Sequence, residues 1–172
     1  MASLIENLID VLQQETAVYE ELLGLSMKKT PVIVAGDLQA LQQITDEEQD
    51  AVGRLHHLDG KRAEVVKDIA NVMNMDVETL KLANLIKMLE SRPQESGRLA
   101  QVHDKLKNVV HSTQRINEQN RELIANSLEM VEFDLNLLQA MKAAPETANY
   151  NRGAYSAGET MGVERGGFDA KS

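Results

Sequence analysis

From about Gln94 to Ala143, Leu99, Val102, Leu106, Val109, Ile116, Leu123, Val131, Leu138 and Met141 trace one helical seam. At 1.5 Å per residue a helix over this stretch runs roughly 75 Å. A chain of 172 residues cannot cover so long a rod on every side. The seam therefore predicts an elongated all-α domain in which long helices lie antiparallel.

The rest of the chain supplies the neighbours. The first helix opens at Ser3-Leu4-Ile5-Glu6, which has the form of a capping box. Leu4/Ile5, Leu8, Val11/Leu12, Glu15, Val18/Tyr19, Leu22 and Leu25 then fall three or four apart, apolar but for Glu15, with Glu6, Asp10, Glu20 and Glu21 off the stripe. Pro31 either breaks this pattern or starts a new turn. Gly36-Asp37 reads as a helix end followed by a new cap. A second helix, about Leu38 to Met73, carries a heptad-like alternation that argues for coiled-coil-like packing. Gly53 and Gly60 cost it about 1 kcal/mol each relative to Ala, and either permit a bend or close crossing or are tolerated. Asp76 is read as the cap of a short third helix, with Leu80, Leu82, Leu85/Ile86 and Leu89 on its buried face, closed by Arg92-Pro93. The expectation is three long helices and one short one over 1–143.

After Ala144 the character changes. Residues 144–172 hold five of the ten glycines together with many Ser, Thr, Asn and Ala, and read as a disordered tail. Yet three of the five aromatics, Tyr150, Tyr155 and Phe168, sit there. Tyrosine offers contact area at low entropic cost, so Tyr150 and Tyr155 are candidates for a docking element, against the alternatives of incidental rings or fold-back onto the bundle.

Composition excludes several function classes. With 27 acidic and 18 basic residues the net charge is −9, and residues 1–60 carry most of it, with 11 acids against 3 bases. Such a chain repels phosphate backbones and anionic lipid, so nucleic acid and membrane insertion are not expected. No apolar run approaches the ~20 residues of a membrane helix, and the first residues lack the pattern of a secretion signal; the cytoplasm is the expected compartment. There is no cysteine. The adjacent His56 and His57 point ~100° apart on a helix, and His103 and His111 lie eight apart. Neither pair has metal-chelating spacing, no Glu-x-x-His occurs, and Gly60-Lys61 lacks the rest of a phosphate loop. No nucleophile, base and orienting group line up. The expectation is a protein-binding chain with no catalytic residues, metal or cofactor.

Polar residues interrupt the seams. Glu15 and Thr45 lie on otherwise apolar stripes, and Asn120 and Ser127 on the seam of the last helix. Each is read as a register-setting polar layer, or as a sign that the last helix is only partly covered and offers this face to a partner.

The stretch Ile116-Asn117-Glu118-Gln119-Asn120-Arg121-Glu122-Leu123-Ile124-Ala125-Asn126-Ser127-Leu128-Glu129-Met130-Val131-Glu132-Phe133 resembles the last long helix of FlgN-type flagellar export chaperones. Asn117, Asn120, Leu123 and Ser127 match the family's N-x-x-N-x-x-L-x-x-x-S pattern. The turn Val34-Ala35-Gly36-Asp37-Leu38-Gln39-Ala40-Leu41, the opening Leu8-x-x-x-Leu12-x-x-Glu15-x-x-x-Tyr19-x-x-Leu22-Leu23 and a Gly-rich tail carrying tyrosine are also similar. The resemblance covers nearly the whole chain. It implies a cytoplasmic chaperone of flagellar type III export that binds the C-terminal helical segments of hook–filament junction (hook-associated) proteins, prevents premature aggregation or assembly, and aids delivery to the export gate. The cargo-binding candidates are Ile116, Asn120, Leu123, Ser127, Leu128, Val131, Leu135, Leu138 and Met141; their apolar members outnumber what one narrow seam can bury. A coiled-coil structural or regulatory adaptor without an export role is the alternative.

Overall fold

A computed structural model of the chain describes residues 2–143. It shows four α-helices and, among the described residues, no strand: α1 (Ala2–Ala35), α2 (Leu38–Met73), α3 (Leu82–Met88) and α4 (Pro93–Ala143), with a single 3-10 turn at Val77–Thr79 before α3. The all-α fold of three long helices and a short one agrees with the periodicity.

The helix ends have local causes. Gly36 adopts φ +67°, which glycine takes without steric cost, and its N–H bonds the Ile33 carbonyl as α1 closes. Asp37 then accepts from the Ala40 N–H and caps α2. The link is so short that α2 must fold back on α1. At the far end Asn74 takes the left-handed conformation at φ 52°, one of the few non-glycine residues that tolerates it, and bonds the carbonyls of Ala70 and Asn71. Pro93 occupies the first position of α4, where its missing N–H leaves no bond unmade.

Three local readings need correction. Ser3 is already inside α1, so the capping-box reading of Ser3-Leu4-Ile5-Glu6 fails. Pro31 does not interrupt α1. Both it and Met27, whose carbonyl would have received the missing N–H, are exposed, so water can meet that oxygen. Asp76 caps the 3-10 turn, accepting from the Glu78 N–H, whereas α3 begins after Lys81 with no side-chain cap.

Two units divide the chain, residues 1–128 and 129–172. In the first, cross-helix pairs fix direction. Glu15 meets Arg62, Glu21 meets Arg54 and Lys29 meets Glu48, so rising numbers on α1 match falling numbers on α2. Glu6 meets Arg98, Ser26 meets Asn117 and Thr30 meets Asn120, so both numbers rise and α4 runs parallel to α1. It is consequently antiparallel to α2.

The core of this unit is graded. Towards the start of α1, Ile5, Leu8, Ile9 and Leu12 pack with Ile69 and Ala70 of α2, Leu80, Leu85 and Leu89 around α3, and Leu99, Leu106 and Val109 of α4. Farther along, Val18 and Leu22 share an apolar cluster with Ala51 and Leu58 of α2 alone. Beyond Val109, what α4 buries is polar, Thr113 and Asn120. Gly53 and Gly60 are exposed and a Cβ at either would meet nothing within 4 Å, so they mark no close crossing and are tolerated.

The second unit, as far as it is described, is the helical run Glu129–Ala143, and every one of those residues is exposed.

Candidate partner-binding site

The sequence-derived candidates fall into separate environments. Asn120 is buried and its amide is used at both ends: Nδ2 donates to the Ser26 carbonyl at 2.8 Å, and Oδ1 accepts from the Thr30 hydroxyl at 2.7 Å. One turn earlier, the Ser26 hydroxyl donates to Asn117 Oδ1 at 2.7 Å. These four side chains form a polar layer that locks α1 and α4 in one register, since a slip of either helix would leave buried polar groups without partners. Ile116 and Leu123 are half-buried, and Ser127 is exposed, its hydroxyl turned back onto the Leu123 carbonyl. Leu128 is exposed at the end of the first unit.

Beside this layer the first unit carries an open groove between α2 and α4, floored by α1. Its wider part holds about 640 Å³ and is lined by Tyr19, Leu22, Val52, Leu55 and Val110 together with Glu15 and Arg62. Leu22, Val52 and Asn117 also line the adjoining part, of about 340 Å³, which reaches Asn120 and Ile124. The Glu15 carboxyl is almost fully enclosed, and Arg62 approaches it to 3.4 Å while also pairing with Asp59. Burial pushes the Glu15 pKa above the usual carboxylate value, Arg62 opposes this, and Asp59 adds to the rise. Thr45, the other polar residue on a stripe, bonds the Leu41 carbonyl of its own helix. No three His, Asp or Glu side chains converge as a metal site among the described residues.

The second unit presents a different surface. Val131, Leu135, Leu138 and Met141 lie on it, and so do Met130, Phe133 and Leu137, which the candidate set omitted. Each of these seven side chains is at least half exposed, Met130 reaching 70% and Phe133 66%. Scattered exposed apolar residues are ordinary, but seven within four turns of one helix make a contiguous patch of the kind that marks an interaction site. The signal that would have found the omitted three is their own spacing, a second stripe beside the first. Tyr150 and Tyr155 lie outside the described residues.

The FlgN protein family model matches residues 1–156. This chain belongs to the FlgN family. That family is one of flagellar export chaperones, proteins that bind flagellar substrate proteins. The FlgN-family chain is also 24% identical over 144 residues to an uncharacterized protein, YvyG, of Bacillus subtilis strain 168, covering 84% of this chain and 83% of that one. No solved structure matches it. No described helix is long and apolar enough to cross a membrane.

Proposed function

We propose that this FlgN-family chain works in the cytoplasm as a chaperone of flagellar type III export, and that its cargo is the C-terminal helical segment of hook–filament junction proteins. The observation that carries this reading is the run of seven exposed apolar side chains between Met130 and Met141. An exported subunit with an amphipathic terminal helix exposes an apolar face until it assembles, and that face aggregates unless covered. A helix bearing its own exposed apolar side chains supplies the complementary surface.

The magnitudes fit reversible binding. Burial contributes about 1.5–3 kcal/mol for each large apolar side chain taken from full exposure, and less for one already half covered. Association and ordering cost about 4–15 kcal/mol. Several side chains acting together are thus needed for useful affinity, and losing two weakens it by about tenfold to a hundredfold. Methionine at both ends of the run, Met130 and Met141, adapts its shape to more than one cargo.

Titration calorimetry of the full chain with a purified hook–filament junction protein tests the reading. Replacement of Leu135 and Leu138 by Asp should abolish the binding heat while leaving the helical circular dichroism unchanged; undiminished affinity would refute it. For delivery, the proposal assigns Tyr150 and Tyr155 as a docking element for the export gate. Y150A/Y155A in the full chain should then retain cargo affinity and lose export of the junction protein.

A further inference from the structure

The second unit is apolar over more of its circumference than one partner helix covers. At ~100° per residue, Val131, Leu135 and Leu138 fall within about 60° of one another. Met130, Phe133, Leu137 and Met141 fall within about 80°, and the two stripes are centred about 120° apart. Together they take up an arc of roughly 200°, whereas a helix packing on one neighbour needs a stripe of roughly 100°. Glu129, Glu132, Asn136 and Gln139 gather on the opposite side. Asp134 and Lys142 do not: Asp134 lies between the two stripes, an acid set within the apolar arc, and Lys142 lies on the first stripe one turn beyond Leu138, at the end of the run.

Charge narrows the choice of occupant. The run 129–143 holds three acids and one base, and the chain as a whole carries −9. A second copy would bring the same acids against these, which disfavours self-pairing. Asp134 lies where elements on both stripes would exclude water from it, and a carboxylate so enclosed is costly unless a cation meets it. The surface therefore calls for apolar helices with Lys or Arg beside their apolar faces.

Resting on the reading that 129–143 holds the cargo, we infer that this helix is gripped from two sides by two amphipathic helical segments of one exported subunit, with a Lys or Arg from that subunit meeting Asp134. One segment covers Val131, Leu135 and Leu138; the other covers Met130, Phe133, Leu137 and Met141. The chaperone helix becomes the third member of a small helical bundle completed by cargo.

Full-length chains carrying V131S/L135S, F133S/L137S or D134N separate the possibilities in calorimetric titrations against a purified full-length hook–filament junction protein. Sedimentation and a thermal melt of each variant are read alongside. The positions are exposed, so the melts should match the parent. Each double variant should weaken binding at least tenfold with one-to-one stoichiometry, and D134N should weaken it severalfold with a shallower dependence on salt. If only one double variant weakens binding, a single segment is held, and the two-sided grip is overturned while the proposed function stands. If neither does, the cargo binds elsewhere, and the assignment of this helix as the cargo site falls with it. Tighter binding by F133S/L137S would mean that the chain's own tail covers that stripe, and reduced self-association in that variant would mean that a second copy does; either overturns the inference. Unchanged affinity and salt dependence in D134N would remove the cation from it.

Discussion

Two stretches of α4 have similar apolar spacing and opposite fates. Between Leu99 and Val109 the apolar side chains are enclosed, because α1, α2 and the residues around α3 bring Ile5, Leu8, Ile69 and Leu85 to meet them. Between Met130 and Met141 a denser set of apolar side chains is left at least half exposed. Periodicity alone therefore sets where a helix can bury a face, not whether the chain contains the partner that buries it. In the first stretch the stripe is a fold determinant; in the second it is an unmet demand, and the proposed cargo is what meets it.

The sharpest contrast is in stability. Leu99→Ala should cost about 2–5 kcal/mol, because it opens a cavity in an enclosed site, whereas Leu138→Ala should change stability by no more than about 0.5 kcal/mol. Urea unfolding followed by circular dichroism checks both, and comparable losses would erase the distinction. Next in size is the polar layer. Asn120→Ala removes two helix-to-helix hydrogen bonds and should cost about 1–3 kcal/mol by the same assay. A neutral result would mean that the layer does not hold α4 against α1.

Much of this was legible in the residues. Gly36-Asp37 sets a boundary because it requires a left-handed glycine and a capping carboxylate, whereas Arg92-Pro93 marks the start of α4 and not the end of α3, which has already closed at Met88. Asn120 was legible as a polar interruption of a seam. Its partners were not, because Ser26 and Thr30 become meaningful only once α1 and α4 run parallel in one register. In the sequence Asp76 looks like the cap of α3, because a single turn of 3-10 helix leaves no periodicity to detect. The candidate site was half legible. Val131 and Leu138 follow the traced seam and Leu135 lies beside it, but a single seam absorbs Met141 and hides Phe133 and Leu137, which with Met141 form a second stripe on the same helix.

Smaller effects sharpen the description of the first unit. Gly53→Ala and Gly60→Ala should each stabilise by about 1 kcal/mol, since both are exposed helical positions with room for a Cβ; destabilisation in urea would reveal a need for glycine there. For Glu15 the effect depends on pH. Unfolded, its carboxyl gives up the proton near the ordinary value of 4.5; folded, it keeps the proton to higher pH because burial outweighs Arg62. The stability linked to this group is therefore fully present below about 4.5 and is lost as pH rises through the folded value. Glu15→Gln removes that loss, so its urea midpoint should gain on the parent's between pH 4.5 and 7. A gap that stays constant with pH would contradict the assigned burial.

Amide hydrogen exchange of the full chain, with and without a saturating hook–filament junction protein, tests the central claim most directly, because it reads both stretches of α4 at once. Free, the amides of 129–143 should exchange quickly and those around Leu99 to Val109 slowly, since protection follows local packing. With cargo bound, the account predicts at least a tenfold slowing across 129–143 and little change in the already protected stretch. Cargo binding that leaves 129–143 as fast as in the free chain would contradict it.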